Sequence, residues 1–244
     1  MTQQCQRPYS TLDDVWTAFS GALVAADGLI YYEPVHTAYV KKAIETFAVD
    51  GSQILELRHL LQGPLGRTYE LNGTVLSSDH VMAKIERLSA EAVAAAASKP
   101  IGSPGSLFFG VRVILCALRF ETNDIVASAL AEAQRLMGKF PGLVIGFDLV
   151  GQEDKGRPLI EFLPQLSDKN IPLYFHAGET VVIGGQADLN LVDALLLDSN
   201  RIGHGYALAH HSRLREQVKH RGVALEVCPL SNQVGAPTQT AANY

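Results

Sequence analysis

Along the chain, short continuous apolar runs alternate with longer stretches in which apolar positions recur every three or four residues. The runs lie at residues 53–57, 111–115, 143–147, 171–175, 201–203 and 223–227. Unbroken apolar runs of this length predict strands buried on both faces of a parallel sheet. Between them, residues 13–26, 34–49, 79–98, 123–139, 188–197 and 212–220 carry helical spacing, with Asp13, Asp79 and Asn123 as predicted N-caps. Strand then helix, repeated, predicts class α/β, as either a (β/α)8 barrel of the TIM type or a doubly wound open sheet. Six strands are legible where a closed barrel has eight, so the barrel expected is incomplete, with the missing strands at the two ends. Residues 60–78, rich in glycine and polar groups, read as one long loop. Residues 235–244 show neither strand nor helix character.

Composition narrows the classes. At 244 residues the chain is expected to be a single domain over 1–244, and 47% hydrophobic against 18% charged residues supplies a core and excludes disorder. Twenty basic residues are scattered and the net charge is −5, which argues against a nucleic-acid partner. No apolar run approaches the roughly 20 residues of a membrane span, and the N-terminus shows no signal-peptide core, so no membrane partner is expected. Cys5, Cys116 and Cys228 are odd in number and far apart, which defines neither a disulfide framework nor a thiolate zinc site. Asn72-Gly73-Thr74 is a glycosylation acceptor triplet and tilts the reading toward secretion.

The chemistry gathers where strands stop. His176-Ala177-Gly178-Glu179 follows the run at 171–175, so the histidine faces a barrel mouth and Gly178 allows a turn sharp enough for Glu179 to join it. Arg201-Ile202-Gly203-His204-Gly205 repeats the arrangement, with glycines flanking the imidazole. Gly146-Phe147-Asp148-Leu149-Val150-Gly151 and Glu226-Val227-Cys228-Pro229-Leu230-Ser231-Asn232 bring polar groups to two more strand ends. Glu153 and Asp154 read as a solvated, acidic helix start. Four successive strand ends carrying polar groups favour the barrel over the open sheet.

In this order the motifs resemble the adenosine deaminase family. Gly146–Gly151 followed by Glu153-Asp154, and Trp16 with Phe19 ahead of Gly28-Leu29-Ile30, look more like its secreted branch of adenosine deaminase-related growth factors. The resemblance covers about residues 15–234. It implies a Zn2+ cofactor with His176 as a ligand, Glu179 as the acid that protonates purine N1, and His204 as the group that orients or deprotonates the attacking water. For that role Glu179 must hold its proton near neutral pH, as a carboxyl in apolar surroundings does. Trp16, Phe19, Asp148, Gly151 and Gly178 would contact the nucleoside, the small-molecule partner, and the location implied is extracellular.

The chain departs from the family pattern in three places. The H-x-H pair of the first barrel strand and the paired aspartates of the eighth are absent, and His210-His211 does not replace the former. Leu118 stands where the branch tends to place a polar substrate contact. One imidazole cannot hold zinc. Three readings therefore stand: an adenosine deaminase truncated at both ends with impaired or absent activity; a non-catalytic nucleoside-binding or signalling protein whose open sheet edges would favour a homodimer; or an amidohydrolase acting on another purine or on AMP.

Overall fold

The structure, a computed structural model, describes residues 11–61, 67–167, 170–180 and 184–235. The sequence expectations for Cys5 and the N-terminal segment, for Pro64 and for the tail past Gly235 lie outside the described residues.

Strands form within five of the six expected runs and immediately after the sixth. In chain order the elements are α1 (Leu12–Ile30), α2 (Glu33–Val49), β1 (Ile54–Leu60), α3 (Ser78–Ala97), β2 (Gly110–Leu118), α4 (Asn123–Lys139), β3 (Val144–Val150), a 3-10 turn (Leu159–Phe162) running into α5 (Leu163–Leu166), β4 (His176–Ala177), α6 (Gln186–Leu196), β5 (Arg201–His204), a second 3-10 turn (Tyr206–His210), α7 (Ser212–His220), β6 (Ala224–Glu226) and α8 (Pro229–Gly235). The strands make two three-stranded sheets, ordered β1-β2-β3 and β4-β5-β6. Pairing is parallel in β1–β2, β4–β5 and β5–β6. This is α/β architecture of the (β/α) barrel kind, with six strands among the described residues. No helix of the described residues is long and apolar enough to cross a membrane.

Helix starts fall within two residues of expectation, and at Asn123 and Ser212 they coincide with it. Hydroxyls cap two of them in place of the predicted Asp79 and Asn123: Ser77 accepts from the His80 N–H, and Thr122 from the Ile125 N–H. A hydroxyl one step before the helix reaches the third amide, whereas Asp79 and Asn123 already lie inside the first turn. At α1, Thr11 and Asp14 bond each other's backbone N–H at 3.1 Å, a reciprocal cap that bypasses Asp13. The run predicted as a strand at 171–175 carries no regular ladder, and β4 forms just beyond it at His176–Ala177. Pro172 has no N–H to give a ladder, and its carbonyl accepts from Phe147 N instead. The helix α8 has no counterpart in the sequence expectations.

Although the sequence reads as one domain, the described residues group into two compact units. One comprises residues 26–148 with 170–172; the other takes the residues before Ala26 and nearly all of those after Asp148. In the first unit β2 is the centre, with Val111, Val113, Ile114, Leu115, Cys116 and Ala117 all buried. Covering helices explain why that strand is apolar without alternation. Helix α4 buries Val126, Ala129, Leu130, Ala133 and Leu136, a single stripe at three- and four-residue spacing. In the second unit Leu159, Phe162 and Leu166 are fully buried, and the Asn190 side-chain oxygen accepts from Leu159 N at 2.9 Å.

The first unit also buries a polar cluster. His36 stacks on Tyr31 with 6.3 Å between centroids and meets His59 edge-on at 6.0 Å. Lys84, paired with Glu33 at 3.5 Å, is buried nearby. Burial first, then the Lys84 ammonium, pushes His36 down to about 3 and His59 down to about 4. Unfolded histidine titrates near 6.5, so the unfolded chain takes up protons that the folded unit refuses. Stability is therefore whole above pH 6.5 and declines as pH falls toward 4, by about 2 kcal/mol per histidine at pH 5. Urea denaturation at pH 7 and pH 5 should show this loss, and in His36→Phe the loss between those two pH values should be about half that of the parent chain.

Candidate active site

The second unit holds the site, and its geometry begins with register. Strand β4 lies on β5 with His176 opposite Gly203 and Ala177 opposite His204. A Cβ on Gly203 would stand 3.4 Å from the His176 Cα and 3.6 Å from its ring, so glycine lets the two strand ends approach. The His176 and His204 rings come within 5.2 Å, tilted by 51°.

Past each strand the chain turns through left-handed backbone. Gly178 has φ 68°, and a Cβ there would meet the Leu191 side chain at 3.0 Å. His204 itself has φ 66° and Gly205 φ 62°. For histidine this conformation costs about 1 kcal/mol or more and occurs chiefly where a side chain is being aimed. The turns are tied across: Gly205 N donates to Ala177 O and Ala207 N to Gly178 O, each at 3.0 Å.

These turns bring Glu179 and His204 together, buried at 8% and 7% exposure. Glu179 Oε1 is 3.4 Å from His204 Nε2, and Ser231 Oγ donates to the same oxygen at 3.4 Å. Asn232 Nδ2 donates to the Glu179 carbonyl at 2.7 Å and lies 3.2 Å from His204 Nδ1. The ring thus shows one nitrogen to Asn232 and the other to the carboxyl. Glu153 is wholly buried, with Oε1 accepting from Gly178 N at 2.8 Å and Oε2 from Glu179 N at 2.6 Å.

His176, Gly178, Glu179 and His204 are thus brought together as the motifs foretold. Glu153 is not the solvated helix start expected: burial and two amide donors place it against the turn, and the only sequence signal was an acid just past the Gly151 that ends β3. Ser231 and Asn232 stood in a noted motif without a role; α8 aims them back at the turn. Gly151 sits at φ 110° just past β3. On α1, Trp16 and Phe19 meet edge-on at 5.7 Å; the Trp16 Nε1 is buried with no hydrogen-bond partner, and Phe19 is exposed. Asp148 falls in the other unit, fully buried, its carboxylate held by Arg58 Nε at 2.8 Å. Leu118 ends β2, half-buried.

The fit to zinc fails on donors. Among the described residues no group of three His, Cys, Asp or Glu side chains is placed to hold a metal ion. His176 supplies one imidazole, and tight catalytic sites take at least three protein ligands.

Comparison with known proteins shows the family. The sequence model of the adenosine deaminase family matches residues 35–243. An adenosine deaminase of Lutzomyia longipalpis is 39% identical over 225 residues, 91% of this chain and 42% of that one. Adenosine deaminase 2 of Sus scrofa is 38% identical over 239 residues, 96% of this chain and 44% of its own length. The human adenosine deaminase 2 is 34% identical with the same coverage. This chain therefore spans less than half the length of these relatives. Among solved structures, adenine deaminase from Arthrobacter aurescens shares the fold with a TM-score of 0.61 at 19% identity, covering 94% of this chain and 65% of that one. Arabidopsis ADAL complexed with IMP does so with a TM-score of 0.63 at 21% identity, covering 95% and 62%. By its sequence match over most of its length, the chain belongs to the adenosine deaminase family.

Proposed function

We propose that the site is built for hydrolytic deamination of adenosine or 2'-deoxyadenosine, giving the inosine product and ammonia. The observation that carries this reading is the buried pair of Glu179 Oε1 and His204 Nε2 at 3.4 Å, set at neighbouring strand ends. Water attacking C6 must give up a proton, while the ring must gain one at N1 before the C6–N1 double bond can open. A carboxylic acid and an imidazole side by side divide these tasks. Glu179 delivers its proton to N1, and His204 takes the proton of the adding water. Collapse of the tetrahedral carbon expels the amine, which leaves as ammonia with the proton carried by His204, while the C6 hydroxyl gives its proton back to Glu179 as the carbonyl forms and N1 keeps the one it received. Gly178 and Gly151 offer backbone without side-chain bulk to the purine. Trp16 and Phe19 form an apolar cover, with the Trp16 N–H available to the ligand.

Zinc, the cofactor of the resemblance, is not assigned a step, because the described donors fall short of a ligand set. Calorimetric titration of the chain with zinc should show binding no tighter than micromolar, reduced further in His176→Ala; stoichiometric nanomolar binding would overturn this.

Turnover is followed by ammonia release from adenosine. Glu179→Gln and His204→Ala should each lower kcat by roughly 100- to 10,000-fold. Thermal unfolding of Glu179→Gln, isosteric with the parent, should stay close to that of the parent. Parent-like kcat in both variants would end the deaminase reading.

An extracellular location is proposed on a separate observation. Asn72 and Thr74 are exposed in a turn where Asn72 Oδ1 accepts from Thr74 N at 2.8 Å, which presents the acceptor triplet to solvent. Passed through a secretory pathway, the chain should carry one glycan that endoglycosidase removes and Asn72→Gln lacks.

A further inference from the structure

We infer that Glu153 and Asn232 are positioning residues for Glu179, and that together they brace the turn carrying the acid; the inference rests on the deaminase reading of the site. A strand of two residues lends little rigidity to the turn beyond it. Past β4 the chain leaves the ladder at Gly178, and the amides of Gly178 and Glu179 find their partner outside it. Both are taken up by a single side chain, one on each oxygen of Glu153, at 2.8 and 2.6 Å.

Both oxygens of Glu153 accept, one amide each, and a carboxyl group offers two such acceptors side by side where an amide side chain offers only one. A carboxylate with no exposed surface is retained only where donors face it, and these two amides do. On the other side of the same residue, Asn232 donates to the Glu179 carbonyl at 2.7 Å. The backbone of residue 179 is thus gripped at its N–H and at its C=O by side chains from two different segments, one after β3 and one in α8. What remains to the acid is rotation of its own side chain, and the Ser231 hydroxyl and His204 Nε2 limit that.

Neither gripping side chain is assigned a contact with reacting atoms. Their effect on chemistry passes through where the Glu179 carboxyl stands, and a misplacement of about 1 Å in such a group costs on the order of 100-fold in rate. Proton delivery to a ring nitrogen is sensitive to this, whereas ligand affinity, spread over many contacts, is not.

The test compares the full chain with Glu153→Gln, Glu153→Asp and Asn232→Ala by two readouts: backbone amide exchange at Gly178 and Glu179, and adenosine kcat and KM. In Glu153→Gln an NH2 replaces one acceptor and faces an amide donor. Exchange at the two amides should accelerate at least ~10-fold, and kcat should fall ~100-fold with KM within about three-fold. Glu153→Asp, which keeps the charge, should recover part of both. Asn232→Ala should lower kcat in the same way with smaller changes in exchange, and it tests the brace if the Glu153 variants do not fold. Unchanged exchange in Glu153→Gln, or faster exchange with unchanged kcat, would overturn the inference. Exchange needs no turnover. An inactive parent chain would therefore sink the deaminase reading, while the amides would still uphold or overturn the brace.

Discussion

The site depends on one register, that of β4 upon β5. With His176 set opposite Gly203 and Ala177 opposite His204, the two histidines are offset by one residue, their rings lie 5.2 Å apart, and both strands end at the same pair. Each chain then has to leave its sheet at once, and the left-handed turns at Gly178 and at His204-Gly205 do this. Shift the register by one residue and the imidazole of 204 would pass to the other face of the sheet. The small residues around it, Gly203, Gly178 and Gly205, keep the sheet ends close enough for the alignment to matter.

Much of this was legible in the sequence. Apolar runs without alternation gave the strands, because strands covered on both faces need no polar side. A histidine followed by glycine and glutamate at a strand end gave the acid, since the turn there needs a residue without a Cβ. What could not be read was anything joining residues far apart in the chain. Glu153 looks like a surface acid because the amides that hold it lie 25 and 26 residues further on. Asp148 looked available to a substrate because its cation, Arg58, sits 90 residues before it on β1. Of the buried histidines, His36 lies in a segment that reads as plain helix and His59 just past a run that reads as plain strand. The helix caps were missed for a local reason: acids in the first turn and hydroxyls just before it are alternative ways to satisfy the same amides.

Family and chemistry are supported to different depths. The match along most of the chain fixes ancestry, and the solved deaminases share the backbone arrangement at about one residue in five identical. The acid and imidazole are assembled and buried within one unit of the chain. A complete metal-ligand set is not assembled among the described residues.

The backbone at His204 bears on how such a protein can change over time. A histidine held at φ 66° sits where glycine or asparagine would rest more easily, so the chain carries a local penalty for that ring. Drift without demand on the site would be drawn toward residues that relax the bend, and imidazole chemistry would be among the first properties erased. A descendant without that ring could then emerge by a single relaxing substitution, with its architecture nearly intact.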